Sequence, residues 1–153
     1  FIKEKLPKFR VIFSGGDDQY KPNVIILKSM ARTFKISLIF KKLRMDEMKN
    51  AYNHADLVVL PSRYESFSYA ALESLALGKK TILSNIPTHR EIALGNNCAF
   101  IAKKADPVSL GETILKAVNS HHQTQKNKAW LNNYAFDQCE NKYINCYNSC
   151  LNK

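Results

Sequence analysis

The sequence predicts an α/β protein built on a doubly wound parallel sheet of about five strands, flanked by helices. Short apolar runs alternate with stretches of helical periodicity along the chain, which is the order expected when a helix crosses over between parallel strands. Residues 57–60 are apolar at every position between Asp56 and Pro61, as is typical of a strand buried on both faces. With 153 residues, 45% of them apolar, the chain is long enough to form one globular domain with its own core.

The elements follow in order after a short helical segment at residues 1–5. Apolar runs predict strands at residues 10–14, 36–40, 57–60, 80–84 and 98–102. Helical spacing of apolar side chains predicts helices over residues 20–34, 48–55, 107–121 and 130–151. One further helix ends before Gly78, and another starts where Thr88 and Glu91 have the spacing of a capping box. Asp106 and Pro107 predict the start of the helix over residues 107–121.

Two glutamates lie around the crevice predicted at the carboxyl end of the third strand. Glu65 falls in the loop after Pro61, and Glu73 lies two turns into the next helix. The start of that helix favours an anion such as phosphate. No cation stands three or four positions from Glu73, and a carboxylate on an apolar helix face needs hydrogen bonds of the kind that sugar hydroxyls supply. Two alternatives remain open: Glu73 stays hydrated at the helix edge, and Glu65 is an ordinary loop glutamate in water.

The motifs of this stretch occur together in one known family. They are Ala55-Asp56, Leu60-Pro61-Ser62, Tyr64-Glu65, Phe67, Leu72-Glu73 and Gly78, with seven residues between the two glutamates. With them the chain resembles the C-terminal, donor-binding domain of retaining GT-B glycosyltransferases, in particular glycosyltransferase family 4 (group 1). The resemblance covers nearly the whole chain. It implies that residues 1–153 form a single Rossmann-like domain, which lacks its first strand and helix and the N-terminal acceptor domain.

The resemblance also implies roles for the two glutamates and for the helix start. Glu73 matches the glutamate that binds the two ribose hydroxyls of a nucleotide sugar. Glu65 matches the one that positions the transferred sugar, and it is the candidate catalytic residue. Amides near Phe67, Ser68 and Tyr69 match the helix start that holds the diphosphate.

Three more candidates for donor binding lie nearer the N-terminus, and two serines depart from the family pattern. Lys41 and Lys42 follow the second strand, where the resembling enzymes contact the nucleotide base largely through the backbone. Gly15 lies in the turn after the first strand. The family usually has glycine where this chain has Ser66 and Ser68, and glycine lets a backbone approach a phosphate most closely. Both serines can still donate from their amides, so Ser66 also counts among the donor-binding candidates.

The expected activity is transfer of a sugar from a UDP- or GDP-sugar to a saccharide or lipid-linked acceptor. The resemblance implies a retaining, metal-independent transferase of the hexosyltransferase type without a cofactor, and it also suggests bacterial surface polysaccharide synthesis (O-antigen, lipopolysaccharide or capsule). The chain is expected to be inactive alone. One alternative is a non-catalytic nucleotide- or partner-binding domain of the same fold, which Ser66 and Ser68 favour. Another is a nucleotide-sugar epimerase of the same architecture, against which the glutamate spacing argues.

The net charge of +10 bears on partners and location. The lysine pairs are spread along the chain without the aromatic interleaving or the motif expected of a specific nucleic-acid binder. We therefore expect attraction of an anionic nucleotide sugar, and of an anionic membrane face, rather than specific nucleic-acid binding. No apolar run approaches the length of a membrane span or a signal sequence. A cytoplasmic protein, with peripheral contact at the inner face of the membrane, is the expectation.

Other titratable residues receive structural interpretations. Cys139, Cys146 and Cys150 share one helical face and are predicted to be buried small hydrophobic residues rather than a metal site. Asp17 and Asp18 form a weak metal motif that is more typical of a polar turn or a helix cap.

The roles of two histidines and of Arg90 are also predicted from their positions in the sequence. His54 lies toward the amino end of the third strand, so it is predicted to be structural. His89 and Arg90, at the start of the helix after the fourth strand, are candidates to reach toward the phosphates.

Overall fold

The computed structural model describes residues 2–6, 8–14, 22–121 and 126–151. The chain folds as two compact units, residues 1–54 and 55–153. Within the described residues each unit contains one parallel sheet: two strands, β1 and β2, in the first unit, and three strands, β3, β4 and β5, in the second.

The first unit alternates helices and strands. Its elements are α1 (Ile2–Lys5), β1 (Arg10–Ser14), α2 (Pro22–Thr33), β2 (Ser37–Lys41) and α3 (Met45–His54). The two strands run parallel, with Arg10 opposite Ser37 and Ser14 opposite Lys41. Proline begins α2, where its missing N–H leaves no helical hydrogen bond unmade. The predicted order of elements is confirmed here.

The second unit holds most of the helices. Its elements are β3 (Val58–Leu60), α4 (Tyr69–Ala76), β4 (Thr81–Ser84), α5 (Pro87–Ala93), β5 (Ala99–Ala102), α6 (Pro107–Asn119), α7 (Lys128–Asn132) and α8 (Phe136–Leu151). The strand order is β3-β4-β5 and all pairs are parallel. Every residue of the central strand β4 is buried. The carboxyl ends of the three strands therefore lie side by side at one edge of the sheet.

Two apolar clusters hold helices α4, α5, α6 and α7 of the second unit against its sheet. The larger consists of Ala71, Leu75, Leu83, Ile92, Cys98 and Trp130, and the smaller of Ile82, Ala102 and Ala117. The Trp130 indole N–H also donates to the carbonyl oxygen of Ile92 over 2.9 Å. A buried indole needs such a partner, and this bond ties α7 to α5.

Chain reversals at the helix ends follow the expected chemistry at two positions. Gly78 has φ +72°, and after it the amide of Lys79 donates to the carbonyl of Ser74 over 3.0 Å, which is the Schellman arrangement that favours glycine. Asp106 caps α6 as predicted, because its carboxylate accepts from the Ser109 amide over 2.9 Å.

The predicted capping box is wrong. α5 begins at Pro87 after Ile86, and among the described residues no side chain caps it. Thr88 is therefore a residue of the helix itself, and its hydroxyl is used elsewhere.

The fold class is confirmed: strands and helices alternate and all described strand pairs are parallel. The five strands form two sheets instead of the single sheet that the sequence predicts. The C-terminal helix is divided into α7 and α8, with a turn at residues 133–135 between them. No described helix is both long and apolar enough to span a bilayer.

The prediction of buried cysteines is wrong for α8. Cys146 and Cys150 are exposed and Cys139 is half-buried, whereas Cys98, which lies outside that helix, is buried. The reason is packing: within the described part of the chain, α8 buries none of its residues. The spacing of the three cysteines placed them on one side of α8, but no described part of the chain buries that side.

Candidate functional site

Hydrogen bonds hold the loop between β3 and α4, residues 61–68, at Ser62 and at Glu65. The hydroxyl of Ser84, at the end of β4, donates to the carbonyl of Ser62. The hydroxyl of Ser62 donates in turn to Glu65 Oε1 over 2.7 Å. From α5, Thr88 Oγ1 donates to the carbonyl oxygen of Glu65 over 2.8 Å. The backbone and the carboxylate of Glu65 are thus both fixed, in the loop and at the carboxyl edge of the sheet.

Glu73 lies on the exposed side of α4. Its helix buries Ala71, Ser74 and Leu75 instead. The structure therefore agrees with the interpretation that Glu73 lies at the solvent-exposed edge of the helix, and not with the one that places it on an apolar face. Hydroxyl groups of a ligand can reach a carboxylate on this exposed side of the helix.

The other candidates at the start of α4 differ in accessibility. Ser66 is exposed, and the rings of Phe67 and Tyr69 meet edge to face with centroids 4.8 Å apart. Ser68, by contrast, is only 3% exposed. It is the N-cap residue of α4, yet among the described residues no amide of the first turn donates to its hydroxyl. Ser68 therefore occupies the N-cap position without capping the helix through its side chain.

The prediction that His89 reaches toward the phosphates of a ligand is wrong. The ring is fully buried, with Nδ1 3.1 Å from the carbonyl oxygen of Ser84 and Nε2 3.2 Å from Ser68 Oγ. Burial lowers the pKa of His89, against the opposing effects of its hydrogen bond to the Ser84 backbone and of the Glu65 charge. Its neighbour Arg90 is exposed and donates to Asn85 Oδ1 over 2.7 Å.

A groove of about 270 Å³ opens beside the loop, at the carboxyl ends of the three strands. Its lining includes Pro61, Arg63, Ser84, Ala102, Lys103 and Asp106. Arg63 and Lys103 are exposed, so the groove carries two cations, whereas Asp106 is occupied as the cap of α6. The groove is open to solvent and polar on its cationic side, which suits an anionic group.

Candidates in the first unit are described separately. Lys41 ends β2 and pairs with Glu47 at 3.6 Å, and Lys42 is exposed. The backbone amide of Arg44, which donates to the Glu47 carboxylate, lowers the pKa of Glu47, with Lys41 contributing in the same direction and slight burial opposing. Gly15, the third donor-binding candidate of this unit, lies outside the described residues.

The structure adds four residues that the sequence analysis did not connect with Glu65. Ser62, Ser84, Thr88 and His89 supply the hydrogen bonds behind the loop and the start of α4. A signal was present: Ser84 ends a strand next to β3 and residues 87–89 begin the following helix, so they share the edge at which Glu65 lies. The interpretation of Thr88 as part of a capping box led away from this signal, because it gave the Thr88 hydroxyl a role within its own helix.

Metal ligands were also sought around the site. The described part of the chain contains no group of three or more His, Cys, Asp or Glu side chains that could hold a metal ion. Asp17 and Asp18, which form the weak motif noted in the sequence, lie outside the described residues.

Comparison with known proteins gives relatives of one kind. The chain is 24% identical over 142 residues to an uncharacterized glycosyltransferase of Methanocaldococcus jannaschii, a match that covers 90% of this chain and 39% of that protein. It is 33% identical over 137 residues to the O-antigen biosynthesis glycosyltransferase WclY of Escherichia coli, covering 88% of this chain and 38% of WclY. The chain therefore spans about two fifths of the length of these relatives.

A solved structure shares the fold. Sucrose-phosphate synthase from Thermosynechococcus elongatus superposes with a TM-score of 0.65 at 19% identity, over 75% of this chain and 30% of that one. At that identity the likeness establishes the fold, which is of the GT-B type, and nothing about substrates. The family model described as "Glycosyl transferases group 1" matches residues 2–135, and the chain belongs to that family.

Proposed function

We propose that this chain is the donor-binding domain of a retaining glycosyltransferase that moves a sugar from a UDP- or GDP-sugar to a saccharide or lipid-linked acceptor. The observation that carries the proposal is the fixed position of Glu65. Its carboxylate accepts from Ser62 at 2.7 Å, and its carbonyl accepts from Thr88 at 2.8 Å. A group that must orient a sugar needs this preorganisation, because small misplacements of a positioning group cost much of the rate.

The other groups then have complementary roles. Glu73, exposed on α4, binds the two ribose hydroxyls. The first amides of α4 carry the positive end of the helix dipole and stabilise the diphosphate. The same amides, with nearby cations, stabilise the negative charge that develops on the leaving diphosphate, as donors of the oxyanion-hole kind do. No metal ion and no cofactor take part in this proposal.

The acceptor and the pathway are proposed from the relatives. One relative is named as an O-antigen biosynthesis glycosyltransferase, which supports a role in bacterial surface polysaccharide synthesis. Because the chain spans about two fifths of the length of such relatives, we propose that an acceptor-binding domain completes the site and that this chain does not turn over substrate alone.

Calorimetric titration of the chain with UDP, GDP, UMP and a duplex oligonucleotide tests the proposal. One nucleoside diphosphate should bind selectively, and Glu73→Gln should weaken that binding, because a neutral amide oxygen accepts from the ribose hydroxyls less strongly than a carboxylate does. Glu112→Gln is the matched control, since Glu112 is an exposed glutamate of α6, and it should bind as the parent does. If neither diphosphate binds the folded chain, the donor-binding role is wrong.

Glu65→Gln separates the two glutamates. It should weaken binding of the complete nucleotide sugar and leave the nucleoside diphosphate unaffected, because Glu65 is assigned to the transferred sugar. Binding of the oligonucleotide with a steep salt dependence, and of no nucleotide, would instead indicate that the charge of +10 serves a polyanion.

A further inference from the structure

The buried imidazole of His89 connects the two parts of the proposed donor site. It is 0% exposed, and its three hydrogen-bond contacts with the described residues involve two serines. Nδ1 lies 3.1 Å from the carbonyl oxygen of Ser84 and 3.2 Å from its hydroxyl, and Nε2 lies 3.2 Å from Ser68 Oγ. Ser84 ends β4, whereas Ser68 precedes α4. One ring therefore bridges the end of a strand and the beginning of the helix that follows Glu65.

The hydrogen-bond network assigns the tautomer of this ring. A carbonyl oxygen only accepts, so Nδ1 carries the hydrogen that Ser84 receives. Burial lowers the pKa of His89, which favours the neutral ring with one N–H. Nε2 is then an acceptor, and the hydroxyl of Ser68 donates to it.

This assignment explains why Ser68 fails to cap its helix. A serine at the N-cap position ordinarily accepts a hydrogen bond from an amide of the first turn. Here the hydroxyl is directed at His89, and among the described residues no such amide donates to it. A cap formed by Ser68 would compete with a bound anion for the same amides. His89 removes that competitor.

The other side of the ring reaches Glu65 through two hydroxyls. The Ser84 hydroxyl shares the single Nδ1 hydrogen with the Ser84 carbonyl oxygen, and it donates its own hydrogen to the carbonyl of Ser62. Ser62 then donates to Glu65 Oε1 over 2.7 Å. Donors and acceptors are consistent along this series of hydrogen bonds, so the hydrogen of each hydroxyl has one orientation that satisfies its neighbours.

We propose that His89 is a positioning residue of the donor site: it holds the Ser68 hydroxyl away from the first amides of α4 and orders the serines that orient Glu65. The proposal rests on the proposed function, in which those amides bind a diphosphate. It predicts that the contribution of His89 to diphosphate binding acts through Ser68.

Two substitutions separate the two sides of the ring. His89→Asn retains an N–H donor near Nδ1 but has no acceptor at the position of Nε2, whereas His89→Gln places an acceptor there. In calorimetric titrations with UDP and GDP, His89→Asn should weaken diphosphate binding about tenfold, the loss of one hydrogen bond to a charged group, and His89→Gln should weaken it less. Binding of the corresponding nucleosides, which have no phosphate, should change in neither variant.

A double-mutant cycle and a spectrum complete the test. If His89 acts through Ser68, Ser68→Gly and the double variant Ser68→Gly/His89→Asn should bind the diphosphate equally. Nitrogen-15 NMR of the imidazole in the unsubstituted chain should show a neutral ring protonated at Nδ1. The Nε2-protonated tautomer would overturn the proposal without any reference to nucleotide binding.

The outcomes also separate this proposal from the proposed function. If the parent chain binds a diphosphate and folded His89→Asn binds it equally well, the positioning role is wrong and the donor-binding role stands. Equal losses for nucleoside and diphosphate in both His89 variants would show a merely structural role. If the parent chain binds no diphosphate, both proposals are wrong.

Discussion

Thr88 Oγ1 donates a hydrogen bond to the backbone carbonyl oxygen of Glu65 over 2.8 Å, between residues 23 positions apart in the sequence. The donor belongs to the first turn of α5 and the acceptor to the loop between β3 and α4. Because β3 and β4 are adjacent parallel strands, the segments that follow them meet at one edge. The loop that carries the candidate catalytic glutamate is thereby attached to a neighbouring helix.

Replacing Thr88 by valine should therefore affect binding through Glu65 more than stability. The two side chains have nearly the same shape, so the change removes the hydroxyl and leaves a half-buried carbonyl without this donor. We expect a loss of about 1 kcal/mol in the free energy of unfolding. The affinity for a nucleotide sugar should fall more than that for the nucleoside diphosphate. Urea unfolding and calorimetry measure the two effects.

Thr113→Val is the matched control for that substitution. Thr113 Oγ1 donates to the carbonyl oxygen of Ser109 over 2.7 Å within α6, so the same bond type is lost away from the loop. It should lower stability by a similar amount and leave both affinities unchanged. Equal losses of nucleotide-sugar affinity in the two variants would contradict a specific role for Thr88.

The apolar pattern was sufficient to predict the strands of this chain. Every predicted strand is present within two residues of its expected ends, because each run contains consecutive apolar residues of the kind that a buried parallel strand requires. The helix end at Gly78 was predictable for the same local reason, since a left-handed residue there favours glycine. The division of the strands into two sheets depends on contacts between distant segments, which local patterns do not contain.

The site was predictable only in part for a similar reason. The motif places Glu65 and Glu73 in the loop and the helix, but the exposure of Glu73 depends on which face of α4 the sheet covers. Thr88 illustrates the limit: its spacing to Glu91 favoured a cap, and a contact with Glu65 from a distant part of the chain determined its role instead. His89 was misjudged because its burial arises from packing between α5 and α4.

Trp130 is expected to be among the most important residues for stability. It is 3% exposed, packs in the larger apolar cluster and donates to the Ile92 carbonyl. Trp130→Phe should lower the free energy of unfolding by about 2–4 kcal/mol, since it removes packed volume and leaves that carbonyl without the indole donor. Circular dichroism during urea unfolding measures the change.

The exposed aromatic residue Phe136 provides a control for Trp130. It is 79% exposed, so Phe136→Leu should shift the unfolding midpoint little. A small effect of Trp130→Phe, comparable with that of Phe136→Leu, would show that the cluster around Ile92 does not limit stability.

Gly95 should tolerate substitution according to backbone conformation alone. Its φ is +75°, and a Cβ placed there would meet no heavy atom within 4 Å. Gly95→Ala should therefore cost about 1–2 kcal/mol, which is the strain of a left-handed alanine. Gly95→Asn should cost less, because asparagine adopts this conformation more readily. Unfolding curves of the two variants test this order, and a larger loss for asparagine would indicate a steric cause instead.

The buried His89 should make stability depend on pH in the weakly acidic range. Its pKa is lowered in the folded chain from an ordinary value of 6.5, so between the two values the unfolded chain binds more protons. Stability is therefore complete above about pH 6.5 and is lost as the pH falls through the folded pKa, with a slope of at most about 1.4 kcal/mol per pH unit for one proton.

Urea unfolding of the parent chain and of His89→Gln between pH 7.5 and pH 5 measures this contribution. The parent should lose more stability than the variant as the pH falls, because only the parent takes up a proton at position 89 when it unfolds. His54→Gln, which removes an exposed imidazole, is the comparison. If the slope is reduced equally in both variants, or in neither, the pH dependence of stability does not originate at His89. That result would contradict a buried His89 ring that is kept neutral in the folded chain.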